Sequence, residues 1–90
     1  PSGITRAYLR IRWYETDDFS IHYSEQYQTG TEWECRWDRH PNDHNTREHF
    51  HPPPDALTPG EDAGYPDDWR DVLATVLTDL DDRIKAFWHE

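Results

Sequence analysis

The stretch that decides the fold is TRAYLRIRWY, residues 5–14, in which polar and apolar residues alternate. Every second side chain is apolar, from Ala7 to Trp13. A period of two over ten residues predicts a half-buried β-strand. The other side of this strand places cations next to aromatic rings: Arg6, Tyr8, Arg10, Arg12 and Tyr14.

The same alternation recurs twice further along the chain. Residues 19–27 alternate after a polar turn at 15–18, and residues 31–39 alternate after a turn that contains Gly30. Successive alternating segments separated by short turns predict an antiparallel meander. We therefore expect three strands, at about 5–14, 19–27 and 31–39, with a short fourth strand near His49 to His51.

A helix is predicted at the end of the chain, from about residue 67 to residue 88. Its apolar residues lie three and four positions apart, from Trp69 to Phe87, which is the stripe of an amphipathic helix. Pro66, Asp67 and Asp68 supply a start signal, because proline suits the first turn and early acids complement the helix dipole. The predicted architecture is α+β: residues 1–90 form one domain in which the helix packs against the sheet.

Composition limits the class of protein. Twelve Asp against seven Glu, and eight Arg against one Lys, within a net charge of −10, predict a protein adapted to high salt, from a halophilic archaeal source. The longest apolar run is three residues long, which excludes a membrane-spanning helix and predicts a cytoplasmic protein. The single cysteine, Cys35, excludes an internal disulfide, and its alternation with Trp33 and Trp37 predicts a core position.

Function is expected in the proline- and histidine-rich segment at 40–65, which is predicted to be mostly loop. Four of the six histidines lie within twelve residues: His40, His44, His49 and His51. Three interpretations remain open. The imidazoles hold the loop by hydrogen bonds; they bind a metal ion, through His44, His49 and His51 with either His40 or Asp38; or they perform acid–base chemistry on a phosphodiester.

The third interpretation needs one histidine to take a ribose 2′-hydroxyl proton, another to protonate the leaving oxygen, and an arginine to stabilise the charge. The arginines available near the histidines are Arg36, Arg39 and Arg47. The polar side of the first strand suits single-stranded RNA through Arg6, Tyr8, Arg10 and Arg12. Alternatively, those arginines pair with carboxylates on a neighbouring strand, for which Glu32, Glu34 and Asp38 are available.

The order of these elements resembles the TumE-like toxins of bacterial and archaeal toxin–antitoxin modules. The resemblance rests on Arg36-Trp37-Asp38, the histidine-bearing loop and His49-Phe50-His51 before a proline-rich segment and a helix. It implies a small α+β toxin that attacks RNA without a cofactor, with an antitoxin as partner. It also implies catalytic roles for Arg36, Asp38, His49 and His51. Two other functions stay open: a non-catalytic module that binds a partner protein or a second copy of itself, and a metal-binding protein.

Overall fold

The computed structural model describes residues 3–40, 48–56 and 60–88, with side chains up to residue 86. These residues form one five-stranded sheet, in which the strands follow the order of the chain and all neighbours are antiparallel, and one C-terminal helix. The elements are β1 (Ile4–Trp13), β2 (Phe19–Tyr27), β3 (Glu32–Arg39), β4 (Glu48–His51), β5 (Glu61–Asp62) and α1 (Trp69–Trp88). The predicted α+β fold is confirmed.

The sheet has one strand more than the three or four that were predicted. In β5, Asp62 pairs with His49 and Glu61 with Phe50, and the amide of Ala63 donates to the carbonyl of Glu48 at 3.0 Å. Two exposed acidic residues are too few to show an alternating pattern, and glutamate and aspartate are both uncommon in strands. Strand β5 therefore forms because the chain returns along β4, and its own composition does not favour a strand.

The hydrophobic core lies between one face of the sheet and α1. The buried residues of the sheet are Phe19, Ile21, Trp33, Cys35, Trp37 and Phe50, and those of the helix are Val72, Val76 and Leu80. At the start of the helix, Asp68 Oδ1 accepts a hydrogen bond from the amide of Arg70 at 2.8 Å, as an N-terminal cap does. Among the described residues, no helix has both the length and the apolar character needed to cross a membrane.

Strand β1 lies at the edge of the sheet and is less buried than its alternation predicts. Ile11, expected to face the core, is 50% exposed, and Trp69 at the start of α1 is 54% exposed. Together with Trp13, Ile21 and Leu73, they line an open apolar groove of about 350 Å³. The described part of the chain therefore leaves the core open at this edge.

The opposite face of the sheet is polar, and the strand register arranges its side chains in rows. Directly paired residues project to the same face of a sheet. The first row consists of Arg12, Ser20, Asp38 and His49, and the second of Arg10, His22, Arg36 and His51. The fold thus brings the arginines of β1 and the histidines of β4 onto one surface, with β2 and β3 between them.

Candidate functional site

A cluster of polar side chains surrounds the carboxylate of Asp38. Arg36 Nε donates to Asp38 Oδ2 at 2.8 Å, and His51 Nε2 lies 3.0 Å from the same oxygen. His40 Nε2 and His49 Nε2 lie 3.6 Å and 3.8 Å from it. We call these five residues the Asp38 cluster. One carboxylate oxygen therefore faces a guanidinium and three imidazoles.

Strand geometry explains why these residues meet. Arg36, Asp38 and His40 follow one another at intervals of two, so they project to the same side at the end of β3. His49 and His51 have the same spacing in β4. Because β3 and β4 are antiparallel, Asp38 pairs with His49 and Arg36 with His51. Phe50, between the two histidines, is buried in the hydrophobic core on the other face.

The imidazole rings of the cluster contact one another. The ring centroids of His40 and His49 are 4.7 Å apart, as are those of His49 and His51, and both pairs are nearly perpendicular. Burial, followed by the positive charges that His51 and His40 carry when protonated, lowers the pKa of His49, although Asp38 opposes the effect. His49 is therefore neutral at neutral pH, and in that state it can accept a proton.

Solvent reaches only part of the cluster. The residues Asp38, His49 and His51 are 1–2% exposed, whereas the side chains of Arg36 and His40 are 33% and 45% exposed. Among the described residues, neither Asp38 Oδ1 nor His49 Nδ1 has a hydrogen-bond partner, although both are buried. Buried polar atoms are normally paired, so each of these two atoms has hydrogen-bonding capacity that the described residues leave unused.

Gly60 covers the buried end of the cluster. Its φ of +91° belongs to the left-handed region that favours glycine. A Cβ atom at this position would lie 2.9 Å from His51 Nδ1 and 2.9 Å from the carbonyl oxygen of Phe50. Only glycine lets the backbone approach His51 this closely, so residue 60 helps to fix the position of the ring.

Other candidate residues are placed elsewhere. Arg39, one of the arginines considered for charge stabilisation, is 5% exposed and lies against the ring of Phe19, on the helix side of the sheet. It binds Glu48 at 3.0 Å and donates to the carbonyls of Tyr65 and Pro66. Arg39 therefore connects loops and does not reach the Asp38 cluster. His44 and Arg47 lie outside the described residues.

His40 was predicted to belong to the histidine-rich segment, with a hydrogen-bonding, metal-binding or acid–base role left open, but the resemblance implies no catalytic role for it. Its place in the Asp38 cluster follows from the alternation of Arg36 and Asp38, continued by one step beyond the predicted end of the strand at residue 39.

The residues predicted to contact RNA lie on the same polar face, at the far edge. The guanidiniums of Arg6 and Arg10 lie 5.1 Å and 5.7 Å from the ring centroid of Tyr8. Among the described residues, no carboxylate forms an ion pair with Arg6, Arg10 or Arg12. Strand β2 separates β1 from β3, so the acids of β3 are not opposite these arginines.

Part of the Asp38 cluster has the composition of a metal site. Asp38, His40 and His49 each offer one ligand atom, and the three atoms lie within 4.8 Å of one another. Imidazole and carboxylate together are ligands that suit zinc and other divalent transition metals. The predicted set of His40, His44, His49 and His51 is only partly represented, since His44 is not described.

The sequence model of the family described as Toxin TumE matches residues 3–84, which include all five strands and most of α1. The chain belongs to the TumE toxin family. No curated protein and no solved structure matches it significantly. The predicted resemblance to TumE-like toxins is thus confirmed, and membership of the TumE family supports a toxin-like function. The high-salt, archaeal origin and the cytoplasmic location stay predictions.

Proposed function

We propose that this TumE family member is a toxin that cleaves RNA at the Asp38 cluster. The observation that carries the proposal is the convergence of Arg36 and three histidines on one buried carboxylate. Imidazoles placed side by side, together with a guanidinium, are the groups that transesterification of RNA requires. The adjacent arginines of β1 give the same face the positive charge that a polyanion needs.

In the proposed reaction His49 is the general base, because its lowered pKa keeps the ring neutral at neutral pH. It takes the proton of a ribose 2′-hydroxyl, and the 2′-oxygen attacks the neighbouring phosphorus. The bond from phosphorus to the 5′-oxygen of the next nucleotide breaks, and His51 donates a proton to that oxygen. The products are a 2′,3′-cyclic phosphate and a free 5′-hydroxyl, so no co-reactant is needed.

Arg36 and Asp38 support this chemistry in different ways. Arg36 is part-exposed and binds Asp38 through Nε only, and its remaining N–H groups suit the charged oxygens of the pentacoordinate phosphorus. Asp38 Oδ2 lies 3.0 Å from His51 Nε2 and 2.8 Å from Arg36 Nε, so the carboxylate keeps the proposed acid and the guanidinium next to each other. His40 is the most exposed histidine of the cluster, so the substrate would approach the buried rings past His40 and Arg36.

A labelled RNA oligonucleotide incubated with purified protein tests the proposal. The assay is run with EDTA, at moderate salt and in molar potassium chloride, and the products are analysed for a cyclic phosphate. The wild type should cleave, whereas His49→Gln, His51→Gln and Arg36→Gln should each lower the rate by about 10² or more. The control is Arg70→Gln, which removes a side chain that is 72% exposed at the start of α1.

Circular dichroism and thermal unfolding verify that each variant is folded. Cleavage by the wild type that equals cleavage by folded His49→Gln and Arg36→Gln would overturn the proposal, because the activity would then come from another site or a contaminant. Absence of cleavage by every folded form, over a panel of RNA sequences, would also overturn it.

The three ligand atoms of Asp38, His40 and His49 favour metal binding as a second candidate function. Titration with zinc, nickel or copper, followed by calorimetry, should then give one ion per chain and an affinity that falls at least tenfold in His40→Ala. Cleavage that requires such an ion would replace the metal-independent mechanism. Failure to retain any metal after dialysis would eliminate the second candidate.

We infer an antitoxin protein as partner from the TumE family membership alone. A non-catalytic module that binds a partner or forms a homodimer is the remaining alternative. Light scattering of the purified chain detects a homodimer, and a pull-down detects a partner protein. A dimer that dissociates in Arg10→Glu would place the interface on the arginine face, where it would exclude RNA.

A further inference from the structure

A second polar pocket lies next to the Asp38 cluster on the same face of the sheet. It is about 140 Å³ in volume and is lined by Arg10, Arg12, Ser20, His22 and Arg36. A water molecule occupies roughly 30 Å³ in the liquid, so the pocket has room for a phosphate group with a few waters. Three of its five lining side chains are guanidiniums, which predicts an anionic ligand.

The strand register builds this pocket from three strands. Arg10 pairs with His22 and Arg12 with Ser20 across β1 and β2, and His22 pairs with Arg36 across β2 and β3. Neighbouring strands are about 4.8 Å apart, so the arginines of β1 and Arg36 of β3 lie on either side of the smaller β2 side chains. This spacing forms a shallow cleft with positive charge on both sides.

Two of the three guanidiniums of the pocket, those of Arg10 and Arg12, have no carboxylate partner among the described residues. Arg36 donates its Nε–H to Asp38, and His22 is held by Glu34 at 3.2 Å. In a chain with a net charge of −10, two guanidiniums without carboxylate partners, converging on one cleft, are best explained by an external anion.

We propose that this pocket binds a phosphate of the RNA backbone adjacent to the phosphate that is cleaved. The proposal rests on the proposed function and adds a subsite to it. Arg36 lines the pocket and also binds Asp38, so one side chain joins the two places. A phosphate held by Arg10 and Arg12 would fix the direction of the RNA strand across β2 towards the histidines of β4.

Binding is measured separately from cleavage with a short single-stranded oligodeoxynucleotide, which carries the phosphates but lacks the 2′-hydroxyl that the reaction needs. Arg12→Gln and Arg10→Gln should each weaken binding about tenfold. Each should also reduce the dependence of log K on log salt by about 0.7, the value for one phosphate contact on a single strand.

Arg6→Gln is the comparison within β1, because Arg6 lies on the same strand and face but does not line the pocket. It should weaken binding clearly less than Arg10→Gln and Arg12→Gln do, and the control Arg70→Gln, at an exposed position of α1, should leave binding unchanged. Equal losses in Arg6→Gln, Arg10→Gln and Arg12→Gln would overturn the proposal, since they would indicate a diffuse attraction. Inorganic phosphate that shifts the NMR signals of the Arg6 side chain as much as those of Arg10 and Arg12 would also contradict it.

Failure of the subsite and failure of the proposed function give different results. If RNA is cleaved and Arg12→Gln leaves KM unchanged, the pocket is not a subsite, although the Asp38 cluster is catalytic. If the oligodeoxynucleotide binds through Arg10 and Arg12 but no RNA is cleaved, the pocket binds nucleic acid and the proposed RNA cleavage at the Asp38 cluster is wrong. If both are correct, Arg12→Gln raises KM about tenfold, and His49→Gln lowers kcat while it leaves binding intact.

Discussion

The carboxylate of Asp38 lies 3.0 Å from Nε2 of His51, and both residues are only 2% exposed. Burying a carboxylate in a protein costs free energy unless hydrogen bonds and opposite charges compensate. Arg36, on the same strand as Asp38, supplies such a charge, and the histidines of β4 lie next to the carboxylate on the neighbouring strand. The Asp38 cluster is therefore expected to affect the stability of the folded protein as well as its chemistry.

Asp38→Asn is expected to reduce both stability and RNA cleavage. The amide keeps the volume of the side chain but removes the negative charge that faces Arg36 and His51, so we expect a loss of about 1–3 kcal/mol in the free energy of unfolding. Urea unfolding measures this loss, and the RNA assay measures the second effect. Asp82→Asn, at an exposed position of α1, is the control. An Asp38→Asn protein as active as the wild type would remove Asp38 from the site.

Gly60→Ala tests how closely the backbone covers His51. The variant combines a strained φ with a Cβ atom 2.9 Å from His51 Nδ1, so it should destabilise the protein by roughly 1–3 kcal/mol and shift the NMR signals of the His51 ring. Gly30→Ala is a matched control, because Gly30 has a φ of +87° and nothing lies within 4 Å of its added Cβ. If both variants lose the same stability, the close approach of the backbone to His51 does not contribute to the free energy of unfolding.

Arg36 and Arg39 are expected to differ in their effect on RNA cleavage when they are replaced by glutamine. Arg39 is 5% exposed and binds Glu48 and the carbonyl of Asp17, so Arg39→Gln should cost about 3 kcal/mol of stability. Arg36→Gln leaves the buried carboxylate of Asp38 without its guanidinium, so it should also lower the unfolding temperature, but only Arg36→Gln should slow RNA cleavage below the unfolding temperature. Thermal unfolding and cleavage, measured on both variants, check the assignment. Slow cleavage by folded Arg39→Gln together with normal cleavage by folded Arg36→Gln would contradict it.

Cys35 is expected to be unreactive in the folded protein. Burial raises the pKa of its thiol from 9.0 to about 12, and the thiolate is the form that reacts. Iodoacetamide at pH 8 should therefore modify the unfolded chain much faster than the native protein. Equal rates in the two states would show that Cys35 is accessible.

The same pKa shift predicts how stability depends on alkaline pH. The folded state holds the thiol proton more tightly than the unfolded state, so the contribution of Cys35 is complete below pH 9 and is lost as the pH rises towards about 12. Urea unfolding of the wild type and of Cys35→Ala between pH 9 and pH 10 measures it. The wild type should lose more stability than the variant over this range.

The spacing of apolar residues was sufficient to predict the sheet and the helix. Apolar residues at every second position indicate a strand with one buried face, and apolar residues three and four positions apart indicate a helix with one buried face. The spacing did not predict β5, because its two residues, Glu61 and Asp62, are both acidic and include no apolar residue. It also overestimated the burial of Ile11, since a sequence does not show that its strand lies at an edge.

The candidate site was predictable in part. The two-residue spacing of His49 and His51 indicates a common side, but their contact with Asp38 depends on the pairing of β3 with β4 across a long connection. The alternation of β3 already places Arg36 and Arg39 on opposite faces, because they are three residues apart. What it does not give is the pairing that brings Arg36 opposite His51.

The two faces of the sheet divide the work of the protein, since the hydrophobic core occupies one and the arginine pocket the other. Replacing Arg10, Arg12 or Ser20 is thus expected to leave the packing of α1 unchanged. Such a variant would still reach its native shape while it holds nucleic acid less tightly. It could therefore be used as bait for protein partners that do not depend on the arginine pocket.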